Sequence, residues 1–66
     1  MLKINVSKLE SERERMNESQ EKFAARLGIK QTTYSAIVNK ATTTFKTLTS
    51  IADALHIDPL DLLISE

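Results

Sequence analysis

A single glycine divides the most regularly patterned part of the chain, residues 20 to 39, into two apolar repeats. On either side of it, apolar side chains recur three and four positions apart, so each segment would bury one face of a helix. These side chains are Phe23, Ala24, Leu27, Tyr34, Ile37 and Val38. Gly28 stands where the first segment should end, and glycine adopts the left-handed backbone of a helix end at little cost. The pattern predicts two short helices joined by a tight turn.

The size and composition of the chain limit what it can contain. Its 66 residues make one domain, residues 1–66, near the lower limit for folding without disulfides or metal. With 41% apolar residues, it can close one small helical core and has no room for a buried catalytic cleft. It has no cysteine, and no stretch reaches the roughly 18 apolar residues of a membrane span. We therefore expect a soluble, cytoplasmic protein without a cofactor, a metal or a membrane segment.

Charge is segregated along the chain, although the formal net charge is zero. Residues 22 to 52 contain basic residues and no acidic one, whereas residues 53 to 66 contain acidic residues and no lysine or arginine. The basic residues of this positive block are Lys22, Arg26, Lys30, Lys40 and Lys46. Such a block suits an anionic partner such as nucleic acid, but it equally suits charges that only decorate solvated faces.

Capping residues predict where further helices begin. The segment from Met1 to Val6 is either an extended arm or the ragged start of the first helix. We expect helices over about residues 8 to 16 after Ser7, from residue 20 after Ser19, over about 31 to 39, over 45 to 55 after Thr44, and over about 59 to 64 after Asp58. Of the acidic residues in the first helix, Glu10, Glu12 and Glu14 are assigned to solvent.

Three side chains near the end of the chain carry separate expectations. Phe45 should close the core beneath the loop that precedes it, and His56 should end the fourth helix, where a charged imidazole favours the helix dipole. Asp61 should complete a capping box with Asp58. The last helix has more leucine and isoleucine than it can bury, so some apolar surface should stay uncovered.

The unit around Gly28 resembles the helix-turn-helix of the Cro/CI-type, or XRE-like, family of DNA-binding proteins found among phage repressors and bacterial regulators. Gln20, Ala24 and Gly28 match three marker positions of that family, and its apolar positions are all filled. The later segment TLTSIADALHIDPLDLL is similar to the family's fourth and fifth helices. The resemblance implies an all-α, compact five-helix lambda-repressor-like domain, with the helix-turn-helix at helices 2 and 3, about residues 20–39.

In that family the third helix enters the major groove of DNA. With the apolar side of this helix in the core, its outer front keeps compact, uncharged side chains: Gln31, Thr32, Thr33, Ser35 and Ala36. Glutamine can pair with adenine, serine and threonine can bond to several base edges, and methyl groups can touch the thymine methyl. We expect these five residues to read bases, although a small polar solvent face would have the same sequence.

A second set of residues is expected at the phosphate backbone: Gln20, Arg13, Asn39, Lys40, Thr43 and Lys46. Gln20 opens the second helix, where free backbone N–H groups can meet a phosphate. In the family the loop after the third helix follows the sugar-phosphate backbone, and Lys40 stands where glycine is usual. Arg13 matches an arginine that commonly pairs with a glutamate late in the third helix. Here that position is Val38, which leaves Arg13 to reach a phosphate, a nearby carboxylate or water.

Many family members form two-fold dimers through the fourth and fifth helices, which places two reading helices about 34 Å apart. The corresponding residues here are Pro59, Leu60, Asp61 and Leu63. The resemblance therefore implies a sequence-specific double-stranded DNA-binding transcriptional regulator, a repressor of phage or mobile-element type that binds a palindromic operator as a homodimer. The alternative is a protein-interaction or antitoxin module of the same fold. The sequence offers no catalytic set of side chains, so we expect no enzyme.

Overall fold

The computed structural model describes residues 1–64. In chain order its elements are β1 (Leu2–Lys3), α1 (Val6–Arg15), α2 (Gln20–Leu27), α3 (Gln31–Lys40), β2 (Thr42–Thr43), α4 (Phe45–Leu55) and a 3-10 helix (Pro59–Leu62). The helices pack around one core, whose largest fully buried side chains are Tyr34, Phe23, Ile4, Leu9, Leu48, Ile51 and Leu62. The fold is mostly helical, as the apolar pattern predicts.

Side-chain caps determine where the helices begin. Helices α2 and α4 begin where the sequence predicts, because the side chains of Ser19 and Thr44 accept backbone N–H bonds from their first turns. Helix α1 begins two residues earlier than predicted. Asn5, and not Ser7, caps it: the Oδ1 of Asn5 accepts the N–H of Lys8 at 3.1 Å. Asparagine and serine are equally good caps, so the sequence alone could not rank the two.

The predicted fifth helix is wrong in type and length. Residues 59 to 62 form a short 3-10 helix, so residues 1–64 contain four α-helices and not five. Asp58 caps this turn as predicted, with its Oδ1 accepting the N–H of Leu60 at 2.9 Å. The chain then extends, because Leu63 forms a β-bridge with Ile4 and the N–H of Ile64 donates to the carbonyl of Lys3 at 3.2 Å. These bonds use backbone groups that a longer helix would need.

The fold also contains a small antiparallel ribbon of two two-residue strands within its otherwise all-α architecture. Of the two alternatives for the first six residues, the extended one is present in β1. Leu2 lies opposite Thr43 and Lys3 opposite Thr42. The segment after α3, predicted to be a loop, therefore contains a short strand. Ile4 extends the contact, its N–H donating to the carbonyl of Ala41 at 2.9 Å. The ribbon fixes the segment that follows α3 to the start of the chain.

Gly28 ends α2 in the left-handed conformation, with φ of 76°, which confirms its predicted role. Three other residues also have positive φ: Asn17 at 59°, Ala41 at 55° and His56 at 57°. His56 ends α4 as predicted, whereas α3 runs one residue further than predicted and ends at Ala41. Two of the four α-helices therefore end on a strained residue that carries a side chain.

The prediction that Phe45 closes the core is wrong. Its side chain is 68% exposed at the first position of α4. The buried side chains at this segment are instead those of Thr43, within it, and Ile4, whose backbone bonds to Ala41. The aromatic part of the core consists of Phe23 and Tyr34, whose rings meet edge to face with centroids 5.6 Å apart. The prediction of uncovered apolar surface near the end of the chain is confirmed by Leu60, which is 71% exposed.

Candidate nucleic-acid interface

The outer side of α3 presents the side chains predicted to read bases. Gln31, Thr32 and Ala36 are exposed, and Thr33 and Ser35 are half-buried. The core side of the same helix is formed by two buried residues, Tyr34 and Ile37, which confirms the predicted rotation of the helix about its axis. Helix α3 contains no acidic residue, so nothing on it repels an anion.

The start of α3 has no side-chain cap. Lys30 occupies the cap position with an extended backbone and makes no capping hydrogen bond. The backbone N–H groups of the first turn carry the positive end of the helix dipole, and Lys30 adds a positive charge at the residue that precedes them. This end of α3 is electropositive.

A groove of about 170 Å³ runs beside α3, between this helix and the segment that leads into α4. It is lined by Met1, Thr33, Ala36, Ile37, Lys40, Thr42, Thr43, Thr44 and Thr47. The lining offers methyl groups, hydroxyls and one ammonium, and no carboxylate. The groove thus joins two predicted base-reading positions, Thr33 and Ala36, to the predicted phosphate contact at Lys40.

The predicted phosphate contacts differ in how accessible they are. Asn39, Lys40 and Lys46 are exposed, and Gln20 is half-buried at the first position of α2. Lys40 is the last residue of α3 and not part of a loop. Thr43 is only 2% exposed and pairs within the ribbon, which leaves little of its side chain for a phosphate.

Arg13 is bonded inside the protein. Its Nε and Nη2 donate to Oε2 of Glu10 at 3.1 and 2.8 Å, and its Nη1 donates to the carbonyl of Glu18 at 2.8 Å. Of the three partners considered for Arg13, the nearby carboxylate is the one present. The bond to Glu10 raises the pKa of the Arg13 guanidinium. A phosphate contact by Arg13 stays a prediction, and it would require this guanidinium to leave Glu10.

The assignment of Glu10 and Glu12 to solvent is wrong, because their side chains are only 21% and 14% exposed. Glu12 is covered by Arg15 on its own helix. The carboxylate of Glu10 accepts a hydrogen bond from the hydroxyl of Tyr34, on α3. Hydrogen bonds from Arg13, and then from Tyr34, hold the pKa of the Glu10 carboxyl below its ordinary value against the opposing effect of desolvation. Burial, followed by the bond to Glu10, raises the pKa of the Tyr34 hydroxyl. No local pattern marks a contact between residues 24 positions apart.

The arginines and lysines of the described residues behave differently. Each of the three arginines pairs with a glutamate, whereas the lysines of the positive block form no ion pair within residues 1–64. These are Lys22, Lys30, Lys40 and Lys46. The unbalanced positive charge of the block is therefore carried by lysine.

None of the helices in residues 1–64 combines the length and the apolar character that crossing a membrane requires.

Helices α2 and α3, joined by the turn at Gly28 and with the exposed, uncharged front on α3, form a helix-turn-helix unit. Comparison with family models agrees, because a model described as "Helix-turn-helix" matches residues 9–62. The chain belongs to the XRE-type, Cro/CI-like helix-turn-helix family, whose members are DNA-binding transcription regulators. No curated protein and no solved structure matches the chain.

Proposed function

We propose that this protein is a repressor of phage or mobile-element type that reads a specific operator with α3 in the major groove. The observation that supports this most is the front of α3, where Gln31, Thr32 and Ala36 are exposed and no carboxylate is present. Thr33 and Ser35 flank these residues. A compact, uncharged front lets a helix approach base edges closely, and its amide, hydroxyl and methyl groups match what those edges offer.

The phosphate contacts in this proposal come from exposed residues at the borders of α3 and its neighbours. Lys40 and Asn39 lie at the end of α3, and Lys46 lies in the first turn of α4. Gln20, at the first position of α2, contributes from the other side of the reading helix. Contacts of this kind orient a protein on DNA without selecting a sequence, because every nucleotide carries the same phosphate.

We further propose that two copies bind a palindromic operator through the surface that contains Pro59, Leu60, Asp61 and Leu63. Leu60 supports this because it is 71% exposed beside the half-buried Leu63, and a monomer gains nothing from leaving leucine in water. A two-fold axis at this surface would present two reading helices to successive major grooves.

The test of DNA reading is selection of binding sites from random duplexes, followed by affinity measurements on the selected site and on a scrambled one. We expect one site to be enriched. Gln31→Ala should weaken binding to it by about 1 to 3 kcal/mol and relax one base position. Ser11→Ala, an exposed change on α1, serves as the control. If no site is enriched and all duplexes bind equally weakly, the proposal is wrong.

The dimer is tested separately by sedimentation at micromolar concentration, with and without the selected duplex. We expect Leu60→Lys to prevent pairing and to lower affinity for the whole palindrome while leaving binding to a half-site unchanged. Observing only monomers of the unchanged protein under both conditions would remove the dimer from the proposal and leave base reading intact.

One observation favours the second candidate, a protein-interaction or antitoxin module. Met1 and Phe45 are 87% and 68% exposed, and Thr44, the neighbour of Phe45, lines the same groove as Met1. Exposed apolar side chains beside the candidate interface suit a protein partner. The selection experiment separates the candidates, because a module of this kind would show no enriched DNA site.

A further inference from the structure

We propose that Glu10 is a positioning residue for DNA recognition, a single carboxylate on α1 that fixes the orientation of the reading helix α3. The inference rests on the proposed function and deepens it, because it names what orients the reading face. Glu10 does not itself touch DNA.

The carboxylate of Glu10 joins three parts of the fold. One oxygen, Oε1, accepts the hydroxyl of Tyr34 from α3. The other, Oε2, accepts both Nε and Nη2 of Arg13, which is anchored in turn to the carbonyl of Glu18. Helix α1 thereby holds the first turn of α3 directly and, through Arg13, the turn that leads into α2.

The bond to Tyr34 bears directly on the reading face. Tyr34 is buried between Thr33 and Ser35, two residues predicted to read bases. Its ring packs edge to face against Phe23 in the core, and the hydrogen bond from its hydroxyl to the Glu10 carboxylate adds a directional contact with α1. The hydroxyl therefore sets the rotation of α3 about its own axis. A small rotation would move every base-reading side chain away from its base edge.

The carboxylate of Glu10 stabilises the fold less than its hydrogen bonds alone would. A half-buried carboxylate loses hydration, and this loss offsets part of what its hydrogen bonds contribute. An apolar side chain of similar size would fill the space with no such loss. What the carboxylate adds is a defined direction for the groups that donate to it.

The chain contains a matched control for Glu10. Glu12 lies on the same helix and also accepts two bonds from the arginine three residues later, at 3.2 and 3.0 Å from Nε and Nη2 of Arg15. Within residues 1–64 its bonds stay on α1. Glu10→Gln and Glu12→Gln therefore remove equivalent local ion pairs, but only the first also disturbs α3 and the turn before α2.

The experiment measures the affinity of the full chain for the selected operator and for a scrambled duplex, together with the folded fraction from urea unfolding. We expect Glu10→Gln and Tyr34→Phe each to lower operator affinity about tenfold and to leave the scrambled duplex within about twofold. The double variant should lose less affinity than the sum of the two single losses, because both changes act on the bond between Glu10 and Tyr34. Glu12→Gln should leave both affinities unchanged.

Three outcomes would overturn the inference. The first is equal loss on operator and scrambled duplex, and the second is a loss that the folded fraction fully explains. The third is that Glu12→Gln behaves like Glu10→Gln. If the unchanged protein prefers no duplex at all, the proposed function fails and this inference with it, so the two failures are distinguishable.

Discussion

The Nε of Arg26 lies 2.7 Å from Oε1 of Glu18, and this ion pair joins the last turn of α2 to the turn that precedes the helix. Arg26 is part of the positive block in sequence, but a carboxylate eight residues earlier balances its charge in the fold. The pairing accordingly lowers the pKa of the Glu18 carboxyl. The charge that remains available to a phosphate belongs to the lysines.

We expect Lys40→Ala and Lys46→Ala each to flatten the dependence of the logarithm of DNA affinity on the logarithm of salt concentration by roughly one unit. Each phosphate that a protein neutralises releases about 0.9 of a condensed counterion, so losing one contact lowers the slope by that amount. Fluorescence anisotropy with one labelled duplex over a series of salt concentrations measures the slope. Arg26→Ala is the control, and an equal effect there would contradict the charge assignment.

Glycine substitutions can test the backbone strain at the helix ends, because they should stabilise the protein there and destabilise it in the middle of a helix. Ala41→Gly and His56→Gly should each stabilise the protein by about 0.5 to 1 kcal/mol, because both positions have positive φ, which glycine adopts without strain. Urea unfolding measures the change. A glycine in the middle of a helix, as in Ala25→Gly, should have the opposite effect, and stabilisation there would contradict the explanation.

Replacing Gly28 by a residue with a side chain should destabilise the protein. A Cβ built on Gly28 meets no heavy atom within 4 Å, yet φ is 76°. Gly28→Ala should therefore cost about 1 to 2 kcal/mol through strain alone, and Gly28→Val more, because branching at Cβ restricts the backbone further. The same urea unfolding applies. A neutral Gly28→Val would mean that the turn can adopt another conformation.

The two phenylalanines should differ greatly in their contribution to stability. Phe23 is fully buried against Tyr34, so Phe23→Ala should cost about 3 to 5 kcal/mol, enough to unfold much of a small domain. Phe45→Ala should stay within about 0.5 kcal/mol, because the side chain is already in water. Thermal unfolding followed by circular dichroism distinguishes the two. A large loss from Phe45→Ala would place that side chain in the core after all.

Glu10 should contribute to stability at neutral pH and lose that contribution in acid. Its pKa in the folded protein lies below the ordinary value of 4.5, so the unfolded chain binds the proton more readily. The contribution is fully present above pH 4.5 and disappears as the pH falls through the lowered pKa of the folded state. Urea unfolding across this range should show a weaker acid dependence in Glu10→Gln. If the free energy of unfolding of Glu10→Gln falls in acid as steeply as that of the unchanged protein, the partners of Glu10 do not stabilise its ionised form.

Local signals in the sequence were sufficient to predict the helix-turn-helix unit. Gly28, Ser19 and Thr44 act within one turn of their own positions, so their roles can be identified without knowing the fold. The apolar spacing of α3 likewise placed Tyr34 and Ile37 in the core. The outward face of α3 follows from these two by elimination.

The features that the sequence did not predict depend on contacts between distant residues. The two-residue strands are too short to show an alternating pattern, and the bond between Glu10 and Tyr34 crosses from α1 to α3. Phe45 has the spacing of a core residue, but the buried residue whose backbone bonds to this segment is Ile4, from the other end of the chain. Tertiary packing determines these contacts and exposures, and the local pattern of a single sequence does not reveal how distant segments pack.

The ribbon also has a consequence for the order of folding. Leu2 meets Thr43 and Ile4 meets Leu63, so these bridges join residues separated by most of the chain, whereas every helix closes its bonds locally. Bringing distant segments together loses chain entropy before any contact compensates for it. We expect the helices to collapse first and the ribbon to join last, which pulsed hydrogen exchange at Ile4 can time. One wall of the groove beside the reading helix would then be completed only at the final step.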